Sequence, residues 1–179
     1  MSSPQTPKPA KLVLSLLTGD RALSGPVMEK MTDKFGRFDI LSPWWPFGYT
    51  NYYEPEMGGK LERRMASFQA MILQADLPEI KLFTNGIESA FSADEKRRVN
   101  IDPGYLLPER FVLATGKNYS HRIYLDKGIY ADLTLIYEKG RYRGLPWTYP
   151  DYTDALMTGF LGSVREKYIF DIRGFRSEA

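Results

Sequence analysis

The sequence predicts an α+β protein: a single domain with a mainly antiparallel sheet and helices packed on it. Three observations carry that reading. Short runs rich in apolar and aromatic residues recur at 11–17, 97–101, 121–125, 128–138 and 141–145, and such runs bounded by turn residues read as strands. The last three are joined by Lys127-Gly128 and Lys139-Gly140, pairs suited to tight hairpin turns. Two segments, 24–35 and 153–170, instead carry apolar residues at helical spacing. A chain of 179 residues is one domain by ordinary size. At that length one core buries about 70% of the unfolded surface, so no disulfide or metal staple is needed.

Taken in order, residues 1–10 with Pro4, Pro7 and Pro9 read as a flexible tail with nothing apolar to pack. The run KLVLSLL (11–17) is apolar on both alternating faces apart from Ser15, the pattern of a central strand. Ser24 is placed to cap a helix through Val27, Met28, Met31 and Phe35, with Gly36 as its left-handed stop. FDIL (38–41) is a short strand ended by Pro43, and WWPFGYTNYYEPEMGG (44–59) reads as a long loop. For 60–72 two readings stand level. Leu61, Met65, Phe68 and Ile72 fit a helix and period two fits poorly, yet tertiary context overrides such local signals. Asp76 and Glu79 form a D-x-x-E capping box for a helix through Ile80, Phe83, Ile87 and Phe91, despite Asn85-Gly86 in its middle.

RRVNI (97–101) reads as a strand stopped by an Asp102-Pro103-Gly104 turn. Leu107–Thr115 reads as a short helix with Pro108 in its first turn. Asp151 or Thr153 caps a last helix with a stripe of Leu156, Phe160, Val164 and Tyr168, ending before Gly174. Residues 11–173 then form the domain, and 174–179 a frayed end. With 60–72 as a strand, the first hundred residues run β-α-β-β-α-β, a ferredoxin-like core. A three-stranded antiparallel extension and a C-terminal helix follow it.

Composition excludes several chemistries. There is no cysteine and one histidine, His121, which removes disulfides, thiol nucleophiles, Cys-based zinc sites and two-histidine metal motifs. No cofactor is evident, and magnesium would enter only together with a phosphorylated ligand. A net charge of +2 is too balanced for a duplex-DNA binder. The longest apolar run, LVLSLL, is far short of a membrane span. With no signal segment in MSSPQTPKPAK, the expected location is the cytoplasm.

Five strings stand out: PFGYTNYYEPEMG (46–58), EIKLFTNGIESAF (79–91), RRVNIDPGYL (97–106), SHRIYLDKGIYADLTLIY (120–137) and LPWTYPDY (145–152). Through them the chain resembles, over about residues 8–170, the bacterial family described as domain of unknown function 4416. It departs from the family's usual STKDYSHR at ATGKNYSHR (114–122). The resemblance implies membership and supplies no reaction, catalytic residue or cofactor. Its members are often labelled GTP-binding proteins. A phosphate-binding P-loop, G-x-x-x-x-G-K-[ST], is nevertheless missing: Glu54 and Phe111 stand where the first glycine would precede Gly59-Lys60 and Gly116-Lys117.

The sharpest positive feature is a basic segment. Over 96–122, Lys96, Arg97, Arg98, Arg110, Lys117 and Arg122 face only Asp102 and Glu109, whereas 39–57 carries Asp39, Glu54 and Glu56 with no cation. In strands, Arg98, Asn100 and Asp102 share one face, and Arg122 and Tyr124 share another. If the two strands are sheet neighbours, these groups converge on an anion, with Lys117 and Tyr105 closing the rim. The structural alternative pairs Arg98, Arg122 and Lys117 with Glu54, Glu56 and Asp102 as ion bridges. His121, Glu54 and Glu56 are the candidate catalytic groups, as the side chains suited to acid–base work. The aromatic runs around Trp44–Tyr53 and Trp147–Tyr152 suit a local core, a protein-partner or self-association surface, or base stacking. The leading expectation is binding of, or catalysis on, a small anionic ligand, phosphorylated or nucleotide-like. A protein-interaction module is the alternative, and single-stranded RNA binding the weaker one.

Overall fold

β1 (Ala10–Thr18) is buried along its whole length, and the sheet is ordered around it. The computed structural model describes the backbone of residues 1–177 and the side chains of 1–173. Residues 1–9 have no regular structure and are exposed. After β1 come α1 (Ser24–Phe35), β2 (Phe38–Leu41), β3 (Trp45–Phe47), α2 (Glu54–Met57), β4 (Leu61–Ile72) and α3 (Leu77–Ala90). β5 (Val99–Leu107), β6 (Arg110–Thr115), β7 (Arg122–Asp126), β8 (Ile129–Glu138), β9 (Arg141–Gly144) and α4 (Ala155–Ser177) complete the chain. The strands form one antiparallel sheet in the order β2-β4-β1-β5-β6-β8-β7, with β3 also on β4 and β9 also on β8. Its first part, β2-β4-β1-β5, has the connections and order of a ferredoxin-like unit.

Segment 60–72 is therefore a strand. It pairs with β1 from Thr18–Glu62 to Ala10–Ile72 and with β2 and β3 on its other edge, and that pairing outweighs its helical spacing. Leu107–Thr115 is not a helix but a hairpin. Leu107 pairs with Arg110, and Pro108-Glu109 make the turn between them. Proline's fixed φ suits a first turn position as well as a first helical turn, which is why local reading misassigned it.

Asp102-Pro103-Gly104 is likewise no turn, because β5 runs straight through it. β1 pairs with β5 over Val99–Leu106, while β6 joins only from Gly104 onward. One edge of β5 before Gly104 thus has no strand beside it. The Ile101 N–H and C=O face that edge, where α3 side chains meet them. The Pro103 nitrogen, two residues on, faces the same way, so no ladder donor is lost. Gly104 has a different reason: a Cβ there would lie 2.4 Å from the Val112 carbonyl oxygen.

The hairpin turns at 127–128 and 139–140 have positive φ at both residues, as expected of turns matched to strand twist. α1 keeps its predicted bounds and Gly36 stop, at φ +82°. Its start differs, since Asp20 caps a short 3₁₀ turn at Arg21–Leu23 and Ser24 caps nothing. The Asp76 carboxylate accepts from Leu73 N–H rather than closing a box with Glu79. Asp154, not Asp151 or Thr153, accepts from the Leu156 N–H at the start of α4. α4 continues past Gly174 to Ser177; the expected fraying of 174–179 falls outside the described side chains, and 178–179 outside the described backbone.

α1 and α3 cover one face of the sheet, packing Val27, Met31, Ile80 and Ile87 on Leu12, Leu14, Leu16, Val99 and Ile101. α4 covers the other, packing Met157, Leu161, Val164 and Tyr168 on Val13, Met65, Leu106, Phe111 and Leu135. Among the described residues no helix is long and apolar enough to cross a membrane.

Candidate functional site

The edge of β5 left open before Gly104 is where charge collects. Glu88 Oε1 accepts from the Ile101 N–H at 2.6 Å, and Lys81 Nζ donates to the Ile101 carbonyl at 3.0 Å. Two α3 side chains thus take the place of a neighbouring strand. Lys81 Nζ also lies 3.5 Å from Asp102 Oδ1, while Asn100 Nδ2 donates to Asp102 Oδ2 at 2.7 Å. Arg97 closes the chain. Its Nη1 donates to Asn100 Oδ1 at 2.9 Å, and its Nε and Nη2 donate to the two oxygens of Glu56 at 2.8 and 2.7 Å. The Arg97 fork holds the Glu56 carboxyl below its ordinary value, whereas burial pushes Glu88 up.

At the head of this chain lies a groove of about 370 Å³. Arg97 and Arg98 form one wall, the Gly19-Asp20 turn after β1 another, and Glu56, Met57, Gly58, Gly59 and Lys60 the third. Gly58 ends α2 at φ +84°, and side chains are absent from the wall at Gly58 and Gly59, so backbone meets the groove directly. Gly19 lets two loops approach, since a Cβ there would lie 3.2 Å from the Met57 carbonyl oxygen. Arg98 pairs with Asp20 at 2.9 Å, and both side chains are nearly half exposed.

Beside Asp102, on the face covered by α4, sits a second polar group. Ser15 is in register with Asp102 on one side and Met65 on the other. Arg63, the next residue on that face of β4, pairs with Asp151 at 2.6 Å, both side chains being over nine-tenths buried. Its guanidinium lies over the rings of Phe47 and Tyr152, at 4.6 and 5.2 Å. Burial raises the Tyr53 and Tyr152 phenols well above their ordinary value, and the negative charges of Asp102 and Asp151 add to that. Both tyrosines are held neutral.

The other half of the predicted site lies elsewhere. β6 and β8 separate β5 from β7, three strand spacings or about 14 Å. Arg98 and Asn100 therefore do not converge with Arg122 and Tyr124, which corrects the expectation of a shared pocket. Asp132 is the centre of that second locus. Arg122 Nε donates to it at 2.9 Å, His121 Nε2 lies 3.2 Å away, and Thr134 Oγ1 reaches its other oxygen. Trp147 stacks on the His121 ring at 4.9 Å and donates to the Leu133 carbonyl. Arg122 also donates to the Lys117 carbonyl. These contacts fasten the 116–121 loop and the 145–148 segment to β8. Lys117 itself lies against Tyr52, Tyr105 is buried, and Tyr124 is exposed beside Tyr130.

The bridging alternative named the wrong partners. Arg98 meets Asp20, Arg122 meets Asp132, and the cation on Glu56 is Arg97; Glu54 is exposed at the start of α2. Sequence reasoning missed Arg63, Glu88, Lys81, Ser15 and Tyr152, all outside the basic segment of the chain. One signal was available. PFGYTNYYEPEMG, EIKLFTNGIESAF, RRVNIDPGYL and LPWTYPDY supply Phe47, Tyr53, Glu56, Lys81, Glu88, Arg97, Asn100, Asp102, Asp151 and Tyr152 to this one region. Among the described residues no three His, Asp or Glu side chains are grouped to hold a metal ion.

A family model described as a domain of unknown function, DUF4416, matches residues 8–168. No curated protein and no solved structure matches the chain significantly.

Proposed function

The chain belongs to the domain of unknown function 4416 family, and from that premise we propose that it binds a small anionic, phosphorylated ligand in the groove at the head of β5. The observation that carries this reading is the groove's wall chemistry: Arg97, Arg98 and Lys60 beside the bare backbone of Gly58 and Gly59. Arginine forks suit phosphate oxygens, and each charge-assisted hydrogen bond adds about 1.5–3 kcal/mol. The Arg98–Asp20 pair is exposed and worth little by itself, so an anion displaces it at small cost. Asp20 and Glu56 stand at the same groove, where magnesium would come only with the phosphates it bridges.

Thermal unfolding with inorganic phosphate, nucleoside phosphates and sugar phosphates tests the reading. A ligand at a hundred times its Kd adds about 2.7 kcal/mol of stability. Arg98→Ala, binding ten- to a hundredfold more weakly, should cut that gain to about 0.4–1.4 kcal/mol while changing the free protein by no more than about 0.5 kcal/mol. No stabilisation by any of these anions, or full stabilisation of the variant, overturns it.

A second reading, self-association, has one observation in its favour. β7 is the last strand of the sheet, and Ile123 and Tyr124 on it are 68% and 57% exposed. Two copies paired antiparallel about Tyr124 would set Ile123 against Leu125 and join the two sheets. Light scattering across a dilution series tests it, with Ile123→Lys expected to give a monomer; a wild-type monomer at every concentration removes it.

A further inference from the structure

Helices α1 and α3 lie on the same face of the sheet, and a second groove, of about 500 Å³, runs between them. Its floor is one stripe of α3. Phe83, Gly86, Ile87 and Ala90 recur there at i, i+3, i+4 and i+7, beside the buried Ile80 and Thr84. The opposite wall is α1, where Lys30, Asp33 and Lys34 share one face. Gly86 stands out in this floor. It lies inside a 14-residue helix, where glycine is the poorest former after proline. A Cβ at this position would meet nothing within 4 Å. Among the described residues no contact requires the missing side chain, and its effect is to deepen the groove.

Size and charge restrict the occupant. The volume is that of a small-molecule site. Phe83 to Ala90 spans about 10 Å of helix, too short a floor for a docked partner helix and matched to a medium-length alkyl chain. Lys30 and Lys34 against Asp33 leave one net positive charge at the rim, which suits a monoanion. Among the described residues neither lysine is in an ion pair. Lys34 Nζ stands 5.7 Å from the centre of the Phe83 ring, so the charge borders the apolar floor. We propose that this groove binds a small amphiphilic anion, an alkyl carboxylate. Its chain lies on Phe83, Gly86 and Ala90, and its carboxylate meets Lys30 and Lys34. The site shares no residue with the groove at the head of β5, so the two proposals stand or fall separately.

Calorimetric titration of octanoate and butyrate tests it, into wild type, Gly86→Leu, Gly86→Ala, the double variant Lys30→Gln/Lys34→Gln, and Arg98→Ala. Octanoate should bind wild type at least about tenfold more tightly than butyrate, because further methylenes are buried. Gly86→Leu should lose at least about tenfold for octanoate by filling the floor. Gly86→Ala should lose part of that affinity and yet melt about 2–4 °C above wild type, as the better helix former. That pairing separates a blocked groove from a damaged fold. The double lysine variant should lose about two- to thirtyfold, the reach of two exposed ion pairs. Arg98→Ala should bind octanoate as wild type does. Octanoate that fails to bind, or binds no better than butyrate, overturns the proposal. So does wild-type affinity in the double lysine variant or in both Gly86 variants, or a loss in Arg98→Ala. Gly86→Ala melting below wild type also overturns it, since the glycine then serves the fold.

Discussion

Lys11 is fully buried on a central strand, with its ammonium 2.8 Å from Asp39 and 2.9 Å from Asp171. From β1 it ties α4 to β2 past the intervening β4, and Lys167 adds a further contact to both acids. Removing the lysine alone strands two acids, so Lys11→Met should cost about 3–5 kcal/mol, read from denaturant unfolding. The same cluster sets an acid limit. Burial pushes Asp171 up, but hydrogen bonds from Lys167 and Lys11 outweigh it and hold the carboxyl below its ordinary value. A carboxyl lowered by folding contributes stability above its unfolded pKa, about 3.9, and that contribution is lost as pH falls through the folded value. Unfolding free energy should therefore fall with acid below about pH 4, and less steeply in Asp171→Asn. At this scale the sequence showed residue types without their partners. Lys11 is the first residue of the run KLVLSLL, and nothing local links it to a residue 160 positions away.

Elements explain where the site lies. β5 outruns β6 at its start, and α3 fills the edge with Glu88 and Lys81 instead of a strand. Glu88→Ala should leave a buried N–H unpaired at a cost of about 1–3 kcal/mol and speed exchange of the Ile101 amide. Glu88→Gln keeps an acceptor and should protect that amide nearly as well. Equal exchange in all three proteins would contradict the edge-filling role. The strands with period-two burial and hairpin turns were legible, as were α1 and most of α3, because local spacing and glycine chemistry decide them. Asp102-Pro103-Gly104 and Leu107–Thr115 were not. Proline and glycine serve turns, helix starts and strand edges alike, and only the neighbouring strand decides among them. Segment 60–72 was left open for the same reason, since its register with β1 is a non-local fact.

Across the molecule, the α+β class followed from the sequence of elements, whereas the ferredoxin-like order depended on 60–72 being a strand. The position of β6 and β8 between β5 and β7 did not, because strand order in a sheet is set by pairing between distant segments. That order divides the basic segment of the chain in two. Arg97 and Arg98 line the groove, with Asn100 and Asp102 hydrogen-bonded in a chain behind Arg97, whereas His121 and Arg122 fasten a loop to Asp132. Half of the candidate site was thus visible in RRVNIDPGYL, and the half opposite it came from three other strings that only the fold brings near. The central claim is that the anion belongs to the first of these places. Titrating inorganic phosphate into wild type, Arg98→Ala and Tyr124→Ala measures it directly. The account predicts affinity roughly ten- to a hundredfold weaker in Arg98→Ala, at 1.4 kcal/mol per tenfold, and unchanged in Tyr124→Ala on the far strand. Undiminished binding to Arg98→Ala, or a loss confined to Tyr124→Ala, would contradict it.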